Sequence, residues 1–156
     1  MTKRIFKSIF LAAFCVLLAS LVIITGCLYE YYSKTFENQM RDELDLAAAA
    51  VDISGSGYLK AIAPSGYRLS LIDKNGKVLY DTVQDADTLA NHADRDEVKQ
   101  ALENGDGSST RYSSTLLKKT TYIAKKLGNG NILRISSSRA TVGMLVFEAM
   151  QPILIV

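Results

Sequence analysis

His92 is the only histidine of this chain, and an imidazole is the side chain best suited to chemistry near neutral pH. It could sense pH, or it could bind a cation together with nearby aspartates, which are Asp85, Asp87 and Asp94. The neighbouring Arg95 could contribute to the binding of a ligand in the same segment. The alternative is that His92 only orders its loop through hydrogen bonds. Both interpretations stay open at this point.

Three basic side chains on predicted strands suggest a site of another kind, for an anion. Arg111, Lys125 and Arg134 could together hold an anionic ligand, because charged donors make strong hydrogen bonds to carboxylate and phosphate oxygens. Solvated strand faces explain the same three residues equally well. Arg111 therefore joins His92 and Arg95 as a candidate ligand-binding residue, for a ligand that the sequence does not name.

No residue pattern in the sequence indicates catalysis. A nucleophilic triad needs a histidine beside a serine or a cysteine, and His92 lies in no such pattern. The glycines of the second half are expected in turns rather than in a phosphate-binding loop; they are Gly105, Gly107, Gly128 and Gly130. Cys15 and Cys27 both belong to an N-terminal apolar segment, so the rest of the chain has no cysteine for a disulfide or a metal. We expect no catalytic residue, metal or cofactor here.

The distribution of charge along the chain is more informative than the net charge. The net charge of +2 is too small to indicate a nucleic-acid partner. Most of the charged residues at 81–106 are acidic, whereas residues 111–139 include basic residues and no acidic one. Two complementary solvated faces of one fold would account for this. A basic surface for anionic lipid headgroups or an anionic ligand is the other interpretation.

The N-terminal apolar segment predicts a membrane anchor. Residues 9–28 carry no charged side chain and are long enough, as a helix, to cross the apolar core of a bilayer. Lys3, Arg4 and Lys7 precede the segment, and basic residues favour the cytoplasmic side. We therefore expect residues 1–8 in the cytoplasm, a transmembrane helix at 9–28, and the following residues outside the cell membrane.

Two alternatives to a retained helix remain open. Residues 24–27 read ITGC, which resembles a lipobox, and Cys27 would then be lipidated and become the new N terminus. Simple cleavage of a signal peptide is the second alternative, although no A-x-A-like site ends the apolar segment. All three possibilities place the remaining chain outside the cytoplasm.

The C-terminal residues are apolar again. Residues 140–156 predict the start of a second transmembrane helix, which stops part way across the membrane. An amphipathic helix packed on the preceding domain is the alternative, and Pro152 would bend or end it.

The pattern between these segments predicts a long helix followed by a sheet. Apolar residues recur at steps of three and four through residues 29–51, and the helix is expected to continue the transmembrane segment. A hairpin turning at 73–76, with an Asn-Gly pair, follows it. Asp94 is expected to cap a short helix with Glu97 as its capping-box partner, and Gly105 is expected to close this helix. Three more strands are expected at 108–113, 120–127 and 131–137, which gives a five-stranded antiparallel sheet with flanking helices, an α+β fold.

Several stretches carry a resemblance to a known family. The hairpin region, residues 68–81, reads RLSLIDKNGKVLYD, and residues 91–98 read NHADRDEV. The others are GSSTRY at 107–112, TYIA at 121–124 and MQPI at 150–153. Together with the basic start, the apolar segment and the tyrosine-rich helix after it, these stretches cover nearly the whole chain. The combination resembles the extracytoplasmic sensor region of bacterial PhoR-like sensor histidine kinases.

The resemblance implies a PAS-like or Cache-like sensor domain at 29–139, between two transmembrane helices. The implied function is that of the sensory and membrane-anchoring N-terminal part of a two-component histidine kinase, and His92, outside the membrane, would not be its phosphoaccepting residue. The implied partners are the lipid bilayer, a second copy of the chain, and a cytoplasmic response regulator reached through a kinase region absent from these residues. The same module on a chemoreceptor or a cyclase is one alternative. A stand-alone binding lipoprotein, lipidated at Cys27, is another.

Overall fold

The computed structural model describes residues 2–61, 67–113 and 118–140. The chain divides into two compact units, Met1–Glu37 and Asn38–Val156. The first helix, α1, comprises Thr2–Ser54 and therefore contributes residues to both units.

The first unit is helical, and its large apolar side chains are exposed. Phe6, Val22 and Ile23 are each at least 65% exposed, and the apolar window of α1 is not buried at all. Ser20 satisfies its hydroxyl within the helix by donating to the carbonyl of Val16 at 2.8 Å. In the part of the chain that the structure describes, α1 is the one helix long and apolar enough to cross a membrane. This finding agrees with the predicted anchor, and it leaves the topology open.

The second unit contains the remaining helices and all the described strands. After the end of α1 come the helix α2 and the strands β1 and β2, at Gly57–Ala61, Arg68–Ile72 and Val78–Asp81. A single turn of 3-10 helix at Ala86–Thr88 leads to α3, Asp96–Asn104. The last three strands are β3, β4 and β5, at Asp106–Ser113, Lys118–Lys126 and Ile132–Ala140.

The five strands form one antiparallel sheet in the order β2-β1-β5-β4-β3. The first strand therefore lies beside the last, and Ser70 of β1 faces Arg134 of β5 across the ladder. The predicted α+β class, a long helix followed by a PAS-like five-stranded antiparallel sheet with flanking helices, is confirmed. The predicted continuity of the long helix is also confirmed, since α1 is unbroken to Ser54.

Helix α1 covers one face of the sheet, which we call the α1 face. Met40, Leu44, Ala47 and Val51 of the helix are buried, at the spacing of three and four that the sequence shows. The strands contribute alternate residues to this face, as period-two side chains require: Leu69, Leu71, Ile123, Leu133 and Ile135. Two hydrogen bonds accompany this apolar layer. Lys125 donates to Asp45 at 2.6 Å, and the amide of Gly128 donates to Asp52 at 3.2 Å.

Helix α3 packs on the opposite face, which we call the α3 face. Val98 and Ala101 of α3 form an apolar cluster with Ile72, Ala124 and Ile132 of the strands. Gly107 lies in β3, and not in a turn as the sequence suggested. A Cβ atom there would overlap the backbone of α3 at Glu97, so glycine permits the close approach of helix and strand.

The predicted hairpin is confirmed, and it contains an irregularity. Gly76 adopts a φ of 84°, which suits the left-handed region that glycine enters easily. A Cβ atom at Gly76 would also overlap Ala93 of the following loop. Ile72 pairs with Val78 and Leu71 with Tyr80, so Leu79 is an extra, bulged residue. The bulge lets both Val78 and Asp81 point toward the α3 face.

The start of α3 differs from its prediction. The N-cap is Arg95, which makes no side-chain capping bond, and the helix begins at Asp96. Asp94 is therefore not the cap, and Glu97 makes no capping box with it, because the Glu97 carboxylate turns inward to two arginines. Gly105 ends the helix as expected, with a φ of 91° and its amide bonded to the carbonyl of Ala101.

One predicted segment falls mainly outside the described residues. The second transmembrane helix was expected at 140–156; Ala140 is the last residue of β5, and residues 141–156 are not described. That helix, the transmembrane bounds at 9–28 and the domain bounds at 29–139 stay predictions.

Candidate functional site

The α3 face carries a buried carboxylate, Glu97, that the first turn of α3 places over the sheet. Its side chain has no solvent exposure. Ser109 of β3 donates to Glu97 Oε2 at 2.5 Å, and Arg111 Nη2 approaches the same oxygen at 2.6 Å. Arg134 Nη1 of β5 approaches Oε1 at 3.4 Å. One carboxylate thus serves two guanidinium groups on different strands.

Arg134 extends this contact toward the other edge of the sheet. Its residue is only 3% exposed, and Nη2 donates to the hydroxyl of Ser70 at 3.2 Å. Ser70 donates in turn to Asp81 Oδ2 at 2.7 Å, because β1 places the two residues opposite each other. Arg134 therefore joins one buried carboxylate to the residues around a second.

Asp81, at the end of β2, is held by donors on every side. Arg68 Nε lies 2.9 Å from Oδ2, and the amides of Val83 and Gln84 donate to Oδ1 at 2.9 and 3.0 Å. The resulting chain of contacts crosses the sheet, and we call it the arginine network. Its members are Arg111, Glu97, Arg134, Ser70, Asp81 and Arg68.

Opposing effects set the ionisation of the two carboxylates. Burial alone would raise the pKa of Glu97, but hydrogen bonds from Ser109 and Arg111 outweigh burial and hold this pKa below its usual value. Burial would likewise raise the pKa of Asp81, and the bonds from Ser70, Val83 and Arg68 lower it instead. Both groups are therefore anionic at neutral pH and act only as hydrogen-bond acceptors.

The two arginines on Glu97 differ in environment. Burial lowers the pKa of Arg134, the charge of Glu97 opposes this effect, and the positive charge of Arg68 lowers the pKa further. Arg111 is less buried, and its bond to Glu97 more than offsets burial, so its pKa is raised. Tyr122 of β4 lies under both, with its ring centre 4.2 Å from the Arg111 guanidinium carbon and 5.4 Å from that of Arg134.

A groove of about 390 Å³ opens on the protein surface beside this network. We call it the polar groove, and its lining residues are Tyr67, Arg68, Val83, Thr120, Tyr122, Ser136, Ser137 and Ser138. Arg68 and Tyr122 belong to both the groove and the surroundings of the network. Six of the eight lining residues carry a hydroxyl group, so the groove offers donors and acceptors to a small polar molecule.

The three basic residues predicted to bind an anion do not all meet. Arg111 and Arg134 lie on the α3 face and share Glu97. Lys125 lies on the α1 face, where Asp45 binds it and raises its pKa. The sequence placed all three on strands, but only the register of the strands shows which of them share a face.

His92 and Arg95 occupy the loop before α3. The His92 amide donates to the carbonyl of Gly76 at 2.7 Å, and the Arg95 amide donates to the carbonyl of His92 at 3.1 Å. Both bonds are made by the backbone and not by the imidazole. The Arg95 side chain is exposed.

The His92 imidazole is nevertheless in an unusual environment. It is only 6% exposed, and its Nδ1 atom has no hydrogen-bond partner within the described part of the chain. Burial lowers the pKa of His92, and the positive charge of Arg134 lowers it further. In the described residues, no three metal-ligating side chains are grouped closely enough to hold an ion.

Sequence reasoning missed most of the network. Glu97 was assigned to a helix cap, whereas Asp81 and Arg68 were treated as ordinary hairpin residues. The signal that was present is the alternation of β1, in which Arg68 and Ser70 share the face opposite to Leu69 and Leu71. In the structure Ser70 is buried as the two leucines are, and only Arg68 of the four is partly exposed. A polar side chain that is buried on a central strand needs a hydrogen-bond partner that is also buried.

Neither a protein-family model nor a curated protein sequence matches the chain. Among solved structures, the chain is similar to the extracellular domain of "the putative histidine kinase rpHK1S-Z16", at 17% sequence identity and a TM-score of 0.39. The match spans 60% of this chain and 39% of that structure.

Proposed function

We propose that this chain is the sensory and membrane-anchoring part of a two-component sensor histidine kinase. The observation that carries the proposal is the unbroken helix α1, whose exposed apolar window precedes residues that pack on a PAS-like sheet. An exposed apolar helix of this length needs a bilayer or a protein around it. The polar groove supplies a place where a stimulus molecule could bind.

The anchoring is tested by fusing alkaline phosphatase, which is active only outside the cytoplasm, after Ala140 and, as a control, after Lys7. We expect activity from the first fusion and none from the second. The intact mass of the chain then separates the alternatives, because lipidation at Cys27 would remove residues 1–26 and add acyl groups. A lipidated, shortened chain would support the stand-alone lipoprotein and contradict the receptor.

The signalling role is tested on the complete gene product in membrane vesicles. We expect a histidine kinase core after Val156 in the reading frame, and autophosphorylation that depends on the intact sensor domain. A methyl-accepting or cyclase domain after Val156 would instead support the alternative receptors, in which the same module controls a different output.

A second copy of the chain is proposed as the partner in signalling. Met40 and Leu44 are buried against the sheet and cannot form a dimer contact, whereas Leu46 and Ile53 of the same helix are 69% and 86% exposed. Single cysteines placed along residues 29–53, in a chain with Cys15 and Cys27 replaced by serine, should crosslink at every third or fourth position. Leu46 and Ile53 should be among the maxima, and a flat profile would contradict the dimer.

A further inference from the structure

The arginine network contains more positive than negative charge. Its three guanidinium groups, those of Arg68, Arg111 and Arg134, share only two carboxylates. Glu97 has to serve both Arg111 and Arg134, and its bond to the more deeply buried Arg134 is the longer one, at 3.4 Å against 2.6 Å. A buried cation that lacks a full counter-ion is costly, so an additional anion within reach would stabilise the network.

Two neighbouring groups respond to this excess of positive charge. Burial is the main cause of the lowered pKa of Arg134 and of His92, and a nearby guanidinium lowers each further: that of Arg68 acts on Arg134, and that of Arg134 acts on His92. Among the described residues, no carboxylate of the loop that follows β2 bonds to the network, although Gln84 Oε1 of this loop accepts a hydrogen bond from Arg68 Nη2 at 3.1 Å. Its Asp85 side chain accepts the amide of Asp87 and belongs to its own turn.

The polar groove gives an anion access to the edge of the network. Arg68 lines the groove, and its side chain keeps 29% of its surface exposed while Nε binds Asp81 and Nη2 donates to Gln84 Oε1 at 3.1 Å. In the described part of the chain its Nη1 has no hydrogen-bond partner, so this atom can donate to a ligand. The hydroxyls of Thr120 and Ser138 lie 2.7 Å apart in the same groove. Their mutual bond uses one of the two hydroxyl hydrogens, so the other hydrogen can be donated to a ligand.

We propose that the polar groove binds a small oxyanion, a carboxylate or a phosphate group, through Arg68 and the hydroxyls of Thr120 and Ser138. The groove, at about 390 Å³, has enough volume for a small molecule that carries such a group. The proposal deepens the sensory function and rests on it for biological meaning. It adds the chemical class of the stimulus, which neither the sequence nor the comparisons supply.

Thermal unfolding of the full chain in detergent micelles tests the binding. Sodium acetate and sodium phosphate serve as probes, and sodium chloride at matched ionic strength is the control. Because a ligand that binds only the folded state raises its stability, we expect the melting temperature to rise with acetate, with phosphate, or with both. The comparison of these two salts distinguishes a carboxylate site from a phosphate site. An equal rise with chloride would contradict the proposal.

A designed carboxylate provides a test that does not depend on loss of folding. Ser138→Asp places a negative charge in the groove, diagonal to Arg68 across β1 and β5, within the reach of a long side chain. We expect this variant to melt a few degrees (~2–5 °C) higher without added anion and to lose the response to acetate and phosphate. Thr110→Asp is the matched control, because Thr110 is exposed on β3 and lies on the opposite face from Arg111.

The control variant should keep the anion response of the wild type. Arg68→Gln should abolish the response in a chain that still gives the native circular dichroism spectrum. The proposal is overturned if Ser138→Asp responds to anions as the wild type does. Failure of this assignment is separable from failure of the sensory function: anion binding without any change in kinase activity contradicts signalling, whereas an anchored, active kinase that ignores anions contradicts only the ligand.

Discussion

The two faces of the sheet are buried by different chemistry. On the α1 face, apolar side chains of α1 lie against apolar side chains of the strands, and the hydrogen bonds to Asp45 and Asp52 are exposed. On the α3 face, a small apolar cluster adjoins a chain of charged groups in which Glu97 is completely buried. The same strands serve both faces, since alternate residues of β5 point to opposite sides.

The apolar α1 face therefore holds the domain together, whereas the charged α3 face can respond to pH and to small anions. Apolar contacts are non-directional and change little with pH or with small anions. Buried charges depend on each partner, because removing one leaves another without compensation. We therefore expect the α1 face to set the basal stability and the α3 face to make that stability depend on conditions.

The largest effect is expected from breaking the network at its centre. Glu97→Gln leaves Arg111 and Arg134 without their shared negative charge, and we expect a loss of about 3–5 kcal/mol in the free energy of unfolding. Denaturant unfolding measures this loss. Glu103→Gln, on the exposed side of α3, is the matched control and should change stability by less than about 0.5 kcal/mol. Equal effects of the two substitutions would remove the distinction between the faces.

A loss of similar or smaller size is expected on the apolar face. Leu44→Ala removes a side chain that is 1% exposed, and the cavity and lost burial should cost about 2–4 kcal/mol. Leu46→Ala, two residues further along the same helix and 69% exposed, should cost less than about 0.5 kcal/mol. Unlike the Glu97 variant, Leu44→Ala should keep the pH dependence of the wild type, which sharpens the comparison.

The pH dependence should come from the α3 face. Because the pKa of folded His92 is lowered, the unfolded chain takes up its proton first as the pH falls through 6.5, and stability falls with it. Asp81 and Glu97 add a second loss as the pH falls below their ordinary values of 3.8 and 4.5, since their folded pKa values are lowered. Unfolding measured between pH 7.5 and 5 should show the first loss, and His92→Gln should remove it. A His92→Gln profile identical to that of the wild type would contradict this account.

The smallest effect is expected from the salt bridge on the α1 face. The Lys125–Asp45 pair has a short distance, 2.6 Å, but both side chains are substantially exposed. A double-mutant cycle with Asp45→Asn and Lys125→Gln should give a coupling of about 0–1 kcal/mol that decreases with added salt. A coupling as large as the Glu97 effect would show that the α1 face also depends on charge.

The sequence was sufficient to predict the sheet and the helices α1 and α3, because the relevant signals are local, whereas α2 was not predicted. The Asn-Gly turn, the glycine that ends α3 and the spacing of apolar residues in α1 each act over a few residues. Tyr29 and Tyr32, at the start of the same apolar stripe, are exposed in the first unit, and the buried part begins at Met40. Periodicity alone does not show where a helix acquires a partner.

The candidate site could not be predicted in the same way, because it depends on pairs distant in sequence. Glu97 meets Arg134 across 37 positions, and Arg134 meets Ser70 across 64. Such pairs are fixed by the register of the sheet, and a shift of one residue would move every side chain to the other face. The sequence identified Arg111 as a candidate but could not show that Lys125 lies on the opposite face.

The strand order has a consequence for how the domain forms as the chain is made. Since β1 pairs with β5, its inner edge has no partner until residues 132–140 are available to pair with it. The β1–β2 hairpin cannot join the rest of the sheet until the whole segment between β2 and β5 is available. Pairing between strands so distant in sequence slows folding. Until then, the unpaired edge of β1 is open to incorrect partners. A nascent chain that ends before residue 132 should therefore remain sensitive to proteases, and resistance should appear abruptly once β5 is complete.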